Sequence, residues 1–145
     1  MANAMCSFRL QNPTVRHTNL KRLDIIWVCQ NISQLQWFAN LLEKMQKQIT
    51  RLNARFLHIQ IYLTRSSEMN QVPTLLKART HYGRPNWEEI IRLAREQMER
   101  EEYAWGVERI GVYLCGGHAL GKELAKVCRT YTDGKYKFRF KKEHF

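Results

Sequence analysis

The residues best placed to do chemistry are Cys115, Gly116 and Gly117, which follow the run Arg109-Ile110-Gly111-Val112-Tyr113-Leu114. That run predicts a short buried strand, and a helix is expected to open at His118 or Ala119. A strand that ends in small residues and feeds a helix lets a ligand approach bare backbone. It also sets the free N–H groups of a helix N-terminus beside that ligand. Cys115 falls at the strand's carboxyl end, where open α/β sheets collect their chemistry. The pattern points to a nucleotide site, the bland alternative being that Cys115 is inert strand core. The other cysteines, Cys6, Cys29 and Cys128, form neither a CxxC pair nor any Cys/His spacing that fits zinc. They suit a reduced, cytosolic compartment, with Cys29 at a strand end and Cys128 in a helix core. His58 has no second ligand at a recognisable spacing, so no metal site is expected.

The elements that must position this turn follow from periodicity. Leu23 to Cys29 is apolar, β-branched and short, which suits a strand buried on both faces. Ser33 with Gln36 three residues on forms a capping-box signature. An amphipathic helix of about five turns follows, with Leu35, Phe38, Leu41, Leu42, Met45, Ile49 and Leu52 as its stripe. Phe56 to Thr64 alternates, with Leu57, Ile59, Ile61 and Leu63 against His58, Gln60 and Tyr62, as a half-buried strand near a sheet edge does. Arg65 to Arg84 reads as a long irregular stretch, broken at Pro73 and at Gly83-Arg84-Pro85.

Asn86 is expected to cap a second helix, with Glu89 at the capping-box position and Trp87, Ile90, Ile91, Ala94 and Met98 inside. The helix after Gly117 carries Leu120, Leu124, Val127, Cys128 and Tyr131 on one face. Lys135 to Lys141 then alternates, Tyr136, Phe138 and Phe140 facing in. Strand, helix, strand, loop, helix, strand, helix, strand is the α/β pattern with a mostly parallel sheet. Residues 1–22 show no clear period and hold no glycine, and they are expected to be irregular.

With 145 residues, 44% hydrophobic and 11% aromatic, the chain is one folding domain's worth, and no run approaches the roughly 20 apolar residues of a membrane span. The net charge of +11 raises anionic partners. Solvated surface charge ranks first, an anionic ligand or membrane headgroups second, and nucleic acid last, so no nucleic-acid partner is expected.

Six landmarks carry a family resemblance over residues 23–145: Ile26-Trp27-Val28-Cys29, Gln36 to Leu42 (QWFANLL), Ile61-Tyr62-Leu63-Thr64, Arg79 to Trp87 (RTHYGRPNW), Ile110 to Gly116 (IGVYLCG) and the terminal Lys142-Glu143-His144-Phe145. In this order they resemble the C-terminal part of the NADPH oxidase family, including the plant respiratory burst oxidases. The resemblance implies a Rossmann-like, open, mostly parallel sheet of the ferredoxin-reductase NADP-binding type. It also implies two regions: an irregular segment at 1–22 and a partial NADPH-binding dehydrogenase domain at 23–145.

It implies roles as well. Cys115 and Gly116 match the turn that lies against the nicotinamide, and Phe145 matches the terminal aromatic that covers the flavin. Arg84, followed by Pro85, matches the arginine facing the adenosine-phosphate end of NADPH. Arginine can grip phosphate in a fork, and a flat ring can stack on a flat ring. The implied cofactor is NADPH. FAD would be bound mainly by a domain outside this chain, and haem belongs to the parent protein only. The implied partners are the flavin-binding and haem-bearing membrane domains of a parent oxidase, at the cytosolic face of a membrane, this chain by itself being expected to be soluble.

Three departures qualify the match. Gln30-Asn31 stand where many relatives place an arginine on the 2′-phosphate, which puts the preference for NADPH over NADH in question. Gly117 replaces the usual proline. The family's first, central strand and its glycine-rich pyrophosphate loop are absent, and Phe8-Arg9-Leu10 is too short to stand in. The expected function is therefore part of an oxidase that passes hydride from NADPH to FAD, with the chain inactive alone. The alternatives are a ferric-chelate reductase fragment and a non-catalytic interaction module.

Overall fold

The computed structural model describes residues 4–11, 22–52, 56–65, 71–100 and 108–143. The strands are β1 (Ala4–Gln11), β2 (Leu23–Cys29), β3 (Leu57–Leu63), β4 (Thr80–Tyr82), β5 (Glu108–Cys115) and β6 (Tyr136–Lys142). The helices are α1 (Ile32–Leu52), α2 (Thr74–Lys77), α3 (Trp87–Arg100) and α4 (His118–Thr130). One six-stranded sheet has the order β4-β3-β2-β1-β5-β6. The pairs β2–β3, β3–β4 and β5–β6 are parallel, as expected for strands joined by helical crossovers.

The two faces of the sheet form two cores. On one, Ile25, Trp27 and Cys29 of β2 and Leu57, Ile59, Ile61 and Leu63 of β3 pack under α1 and α2 through Ile32, Leu35, Ala39, Leu42 and Leu76. On the other, Ile26 joins Ile110, Val112 and Leu114 of β5 and Tyr136 and Phe138 of β6 beneath α3 and α4. Each fully buried Leu or Ile here contributes about 1.5–3 kcal/mol, and helices on both faces make the sheet doubly wound. The inner stripe expected for α3 is buried at Trp87, Ile90, Ile91, Ala94 and Met98. That of α4 holds with Leu124 and Cys128 buried and Leu120, Val127 and Tyr131 half-buried against the core. Leu41 departs from its expected stripe and is exposed, because the inward line of α1 runs through positions 32, 35, 39 and 42.

Three further expectations change. Residues 1–22 are not irregular throughout, since β1 spans eight of them. It fills the centre of the sheet, between β2 and β5, and is antiparallel to both: Met5 lies opposite Trp27 and Cys115, and Arg9 opposite Leu23 and Gly111. Without a strand here β2 and β5 would each leave a row of N–H and C=O groups unpaired inside the domain. Alternation of Cys6, Phe8 and Leu10 with Ser7, Arg9 and Gln11 suits the segment to that place. Among the described residues the centre of the sheet is thus held by a strand of opposite direction to the parallel one that the resemblance implies.

The stretch read as irregular, Arg65 to Arg84, contains α2 and the short strand β4. The α1 cap is Asn31 rather than Ser33. Asn31 Oδ1 accepts the Gln34 backbone N–H at 3.2 Å, and Gln34 Oε1 accepts the N–H of Gln30 at 2.8 Å.

Candidate functional site

The carboxyl ends of β2, β3 and β5 meet at one edge of the sheet, and a cleft of about 450 Å³ opens there. It lies between the start of α3 and the start of α4, with Val28, Thr64, Arg84, Pro85, Trp87 and Glu123 among its walls. Local bonds build it. Thr64 N–H donates to Cys29 C=O at 2.9 Å and Arg65 N–H to Gln30 C=O at 3.0 Å, which ties the end of β3 to that of β2. Gly83 N–H donates to Leu63 C=O at 2.8 Å. Its φ of +95° turns the chain out of β4 in a conformation that favours glycine. The Gly83-Arg84-Pro85 turn is thereby hung over the sheet edge. Asn86 then caps α3, its Oδ1 accepting the Glu89 N–H at 3.1 Å. Trp87 is both core and cleft wall.

Arg84 is exposed at this cleft and makes no ion pair among the described residues. Facing it, α4 begins at Gly117, which offers no side-chain cap, so the first N–H groups of that helix stay free for an anion. Ala119 and Leu120 of the first turn line the cleft. A guanidinium and a helix N-terminus on one cleft fit a phosphate.

Because β1 runs opposite to its neighbours, it brings its first residues to this edge, Ala4 opposite Val28 and Met5 opposite Cys115. It therefore leads into no helix here, where β2 and β5 run into α1 and α4.

The predicted site residues divide accordingly. Arg84, half-buried Pro85 and the start of α4 come together at the cleft. Cys115 and Gly116 lie half-buried at the end of β5, next to exposed Gly117. Glu143 N–H donates to Leu114 C=O at 2.9 Å, so the β5–β6 ladder carries the chain's last described residue to the neighbourhood of Cys115. Phe145 lies outside the described residues. Gln30 is half-buried, its N–H and C=O both engaged, and the Asn31 side-chain oxygen is taken by the α1 cap. Thr64 and Glu123 are cleft residues for which the sequence suggested no role, although Thr64 closes one of the six landmarks. Burial pushes the Cys29 and Cys128 thiols up to about 11, as befits core cysteines. Among the described residues no group of histidines, cysteines and carboxylates could hold a metal ion.

A doubly wound α/β sheet with a phosphate-fitting cleft at its carboxyl edge defines a Rossmann-like nucleotide-binding domain. The family model for the ferric reductase NAD binding domain matches residues 4–75 and 68–129. The chain belongs to that family. It is similar to NADPH oxidase 3 of Rattus norvegicus, 32% identical over an alignment of 142 positions that covers 87% of this chain and 24% of that protein. It is also similar to NADPH oxidase 1 of Rattus norvegicus, 30% identical over 147 residues, 89% of this chain and 25% of that protein. With NADPH oxidase 4 of Homo sapiens it is 30% identical over 131 residues, 87% of this chain and 22% of that protein. The chain thus spans about a quarter of the length of the curated relatives it matches. No described helix is long and apolar enough to cross a membrane.

Proposed function

We propose that this chain is the NADPH-facing part of a flavocytochrome NADPH oxidase, at the cytosolic face of a membrane. There it holds the nicotinamide for hydride transfer to FAD, and electrons leave through haem to oxygen as superoxide or hydrogen peroxide. The observation that carries this reading is the cleft where unpaired Arg84 faces the uncapped start of α4. In it Arg84 takes the phosphate at the adenosine end, and Pro85 fixes the turn that presents Arg84. Gln30 and Asn31 flank the ribose and bring no charge to a 2′-phosphate, so preference for NADPH over NADH rests on Arg84. Cys115, Gly116 and Gly117 form the small turn against the nicotinamide, and Phe145 covers the flavin until the nicotinamide displaces it. Hydride chemistry belongs to the nicotinamide and the flavin; this chain supplies position and charge.

The direction of β1 supports a second reading, a non-catalytic interaction module derived from the oxidase, because the central strand starts rather than ends at the edge where the cleft lies. Titration of the 145-residue chain with NADPH, followed by tryptophan fluorescence, separates the two. Under the first reading the chain binds NADPH weakly, Arg84→Ala lowers affinity about tenfold, the equivalent of about 1.4 kcal/mol, and turnover is negligible. A longer product carrying a flavin-binding region and a glycine-rich loop then oxidises NADPH. Equal affinity of the chain and its Arg84→Ala variant would remove Arg84 from the site, and an inactive longer product supplied with FAD would defeat the oxidase reading.

A further inference from the structure

A second cleft, of about 210 Å³, lies under α3 against β2, β3 and β4, and shares no wall residue with the cofactor cleft. Its floor carries a charged pair that the cofactor site does not use. Arg22 is only 5% exposed. Its Nε and Nη2 donate to the two carboxylate oxygens of Asp24 at 2.8 and 2.7 Å, while its Nη1 has no partner among the described residues. A buried guanidinium neutralised on one side and unsatisfied on the other is uncommon, since buried donors are normally paired.

His58, His81 and Gln97 also line the cleft, and four of its other side chains have their acceptors engaged. Asp24 is held by Arg22. Glu89 accepts from Arg92 at 2.6 Å, which holds its carboxyl below the usual range. Gln60 Oε1 accepts from the Tyr62 hydroxyl at 3.3 Å, and Asn86 Oδ1 from the Glu89 N–H. The donors left over are Arg22 Nη1 and the amide NH2 groups of Gln60 and Asn86. Beside them Ile26, Ile90 and Ala94 form an apolar wall, and Leu93 of α3, 48% exposed, lines the cleft too.

We propose that this cleft is a binding site for a small monocarboxylate with a short apolar body. Its oxygens accept from Arg22, Gln60 and Asn86, and its body lies against Leu93 and Ile90. The volume suits a molecule the size of a substituted ring or short chain and excludes a nucleotide.

Benzoate is the probe and benzyl alcohol its uncharged control, titrated by calorimetry into the full 145-residue chain at neutral pH. Saturable one-to-one binding of benzoate is expected, with benzyl alcohol at least tenfold weaker. Arg22→Met removes the buried donor and abolishes binding. Should that variant fail to fold, Asn86→Asp decides, because an aspartate still caps α3 yet replaces the free NH2 by a carboxylate oxygen. It is expected to weaken benzoate at least tenfold with an unchanged Tm. Absence of benzoate binding by the wild-type chain, equal affinity for benzyl alcohol, or wild-type affinity in the Asn86→Asp variant would each overturn the proposal. So would loss of benzoate binding in Arg84→Ala, which would place the ligand in the cofactor cleft.

Discussion

Replacing Gly117 by proline probes how the turn between β5 and α4 is held. Gly117 has φ −64° and ψ 160°, inside the window that a pyrrolidine ring imposes, about −65 ± 15°. A Cβ built there meets nothing within 4 Å. Its N–H donates no hydrogen bond among the described residues, and its C=O, which accepts the Gly121 N–H at 3.1 Å, is retained by proline. The preceding residue is Gly116, which tolerates the extended backbone that a following proline demands. The substitution therefore removes freedom from the unfolded chain without straining the folded one, worth about 0.4–1 kcal/mol. For a chain of this length that is a rise in Tm of about 1–4 °C. Thermal unfolding followed by circular dichroism, at matched concentration and buffer, measures it. A fall in Tm of comparable size would show that the Gly117 N–H has a partner or that the turn's backbone differs, and the reasoning would fail with it.

Two other outcomes follow from the same structure. Asp133 Oδ1 accepts the N–H groups of Lys135 and Tyr136 at 2.8 Å each, and Oδ2 pairs with Arg95 at 2.7 Å. These backbone bonds, with Arg95 adding to them, hold its carboxyl below the usual range. A depressed folded value means that the stabilisation is complete above the unfolded value of about 3.9 and fades as pH falls through the folded one. Asp133→Asn should lower Tm at pH 7 by a gap that closes on acidification, and a gap independent of pH would contradict it. Alkylation of the native chain with iodoacetamide, mapped by mass spectrometry, should modify half-buried Cys115 well ahead of Cys29 and Cys128, whose buried thiols stay protonated. Equal labelling of Cys29 would mean that its core opens.

Much of the fold was legible because local pattern and burial agree. The alternation of Leu57, Ile59, Ile61 and Leu63 marked one face of β3, and the stripe from Trp87 to Met98 marked the inside of α3. The Gly83-Arg84-Pro85 turn and the Cys115-Gly116-Gly117 turn could be singled out by residue type. What escaped was whatever depends on a partner far along the chain. β4 is three residues long and exists through its parallel pairing with Ile61, Tyr62 and Leu63, and the stacking of His81 on Tyr62, centroids 4.8 Å apart, accompanies that pairing. Thr64 and Glu123 share a cleft only because three strands end at one edge.

The sequence by itself determined the α/β class and the helix faces, because these are written in the spacing of apolar residues within each segment, whereas the roles expected of Arg84 and Cys115 came only from the resemblance to a family. The tertiary structure alone decided what fills the centre of the sheet. Pairing energy is indifferent to the order in which segments occur along a chain, so residues 4–11 satisfy β2 and β5 while running against both. That direction sends the end of β1 away from the cleft.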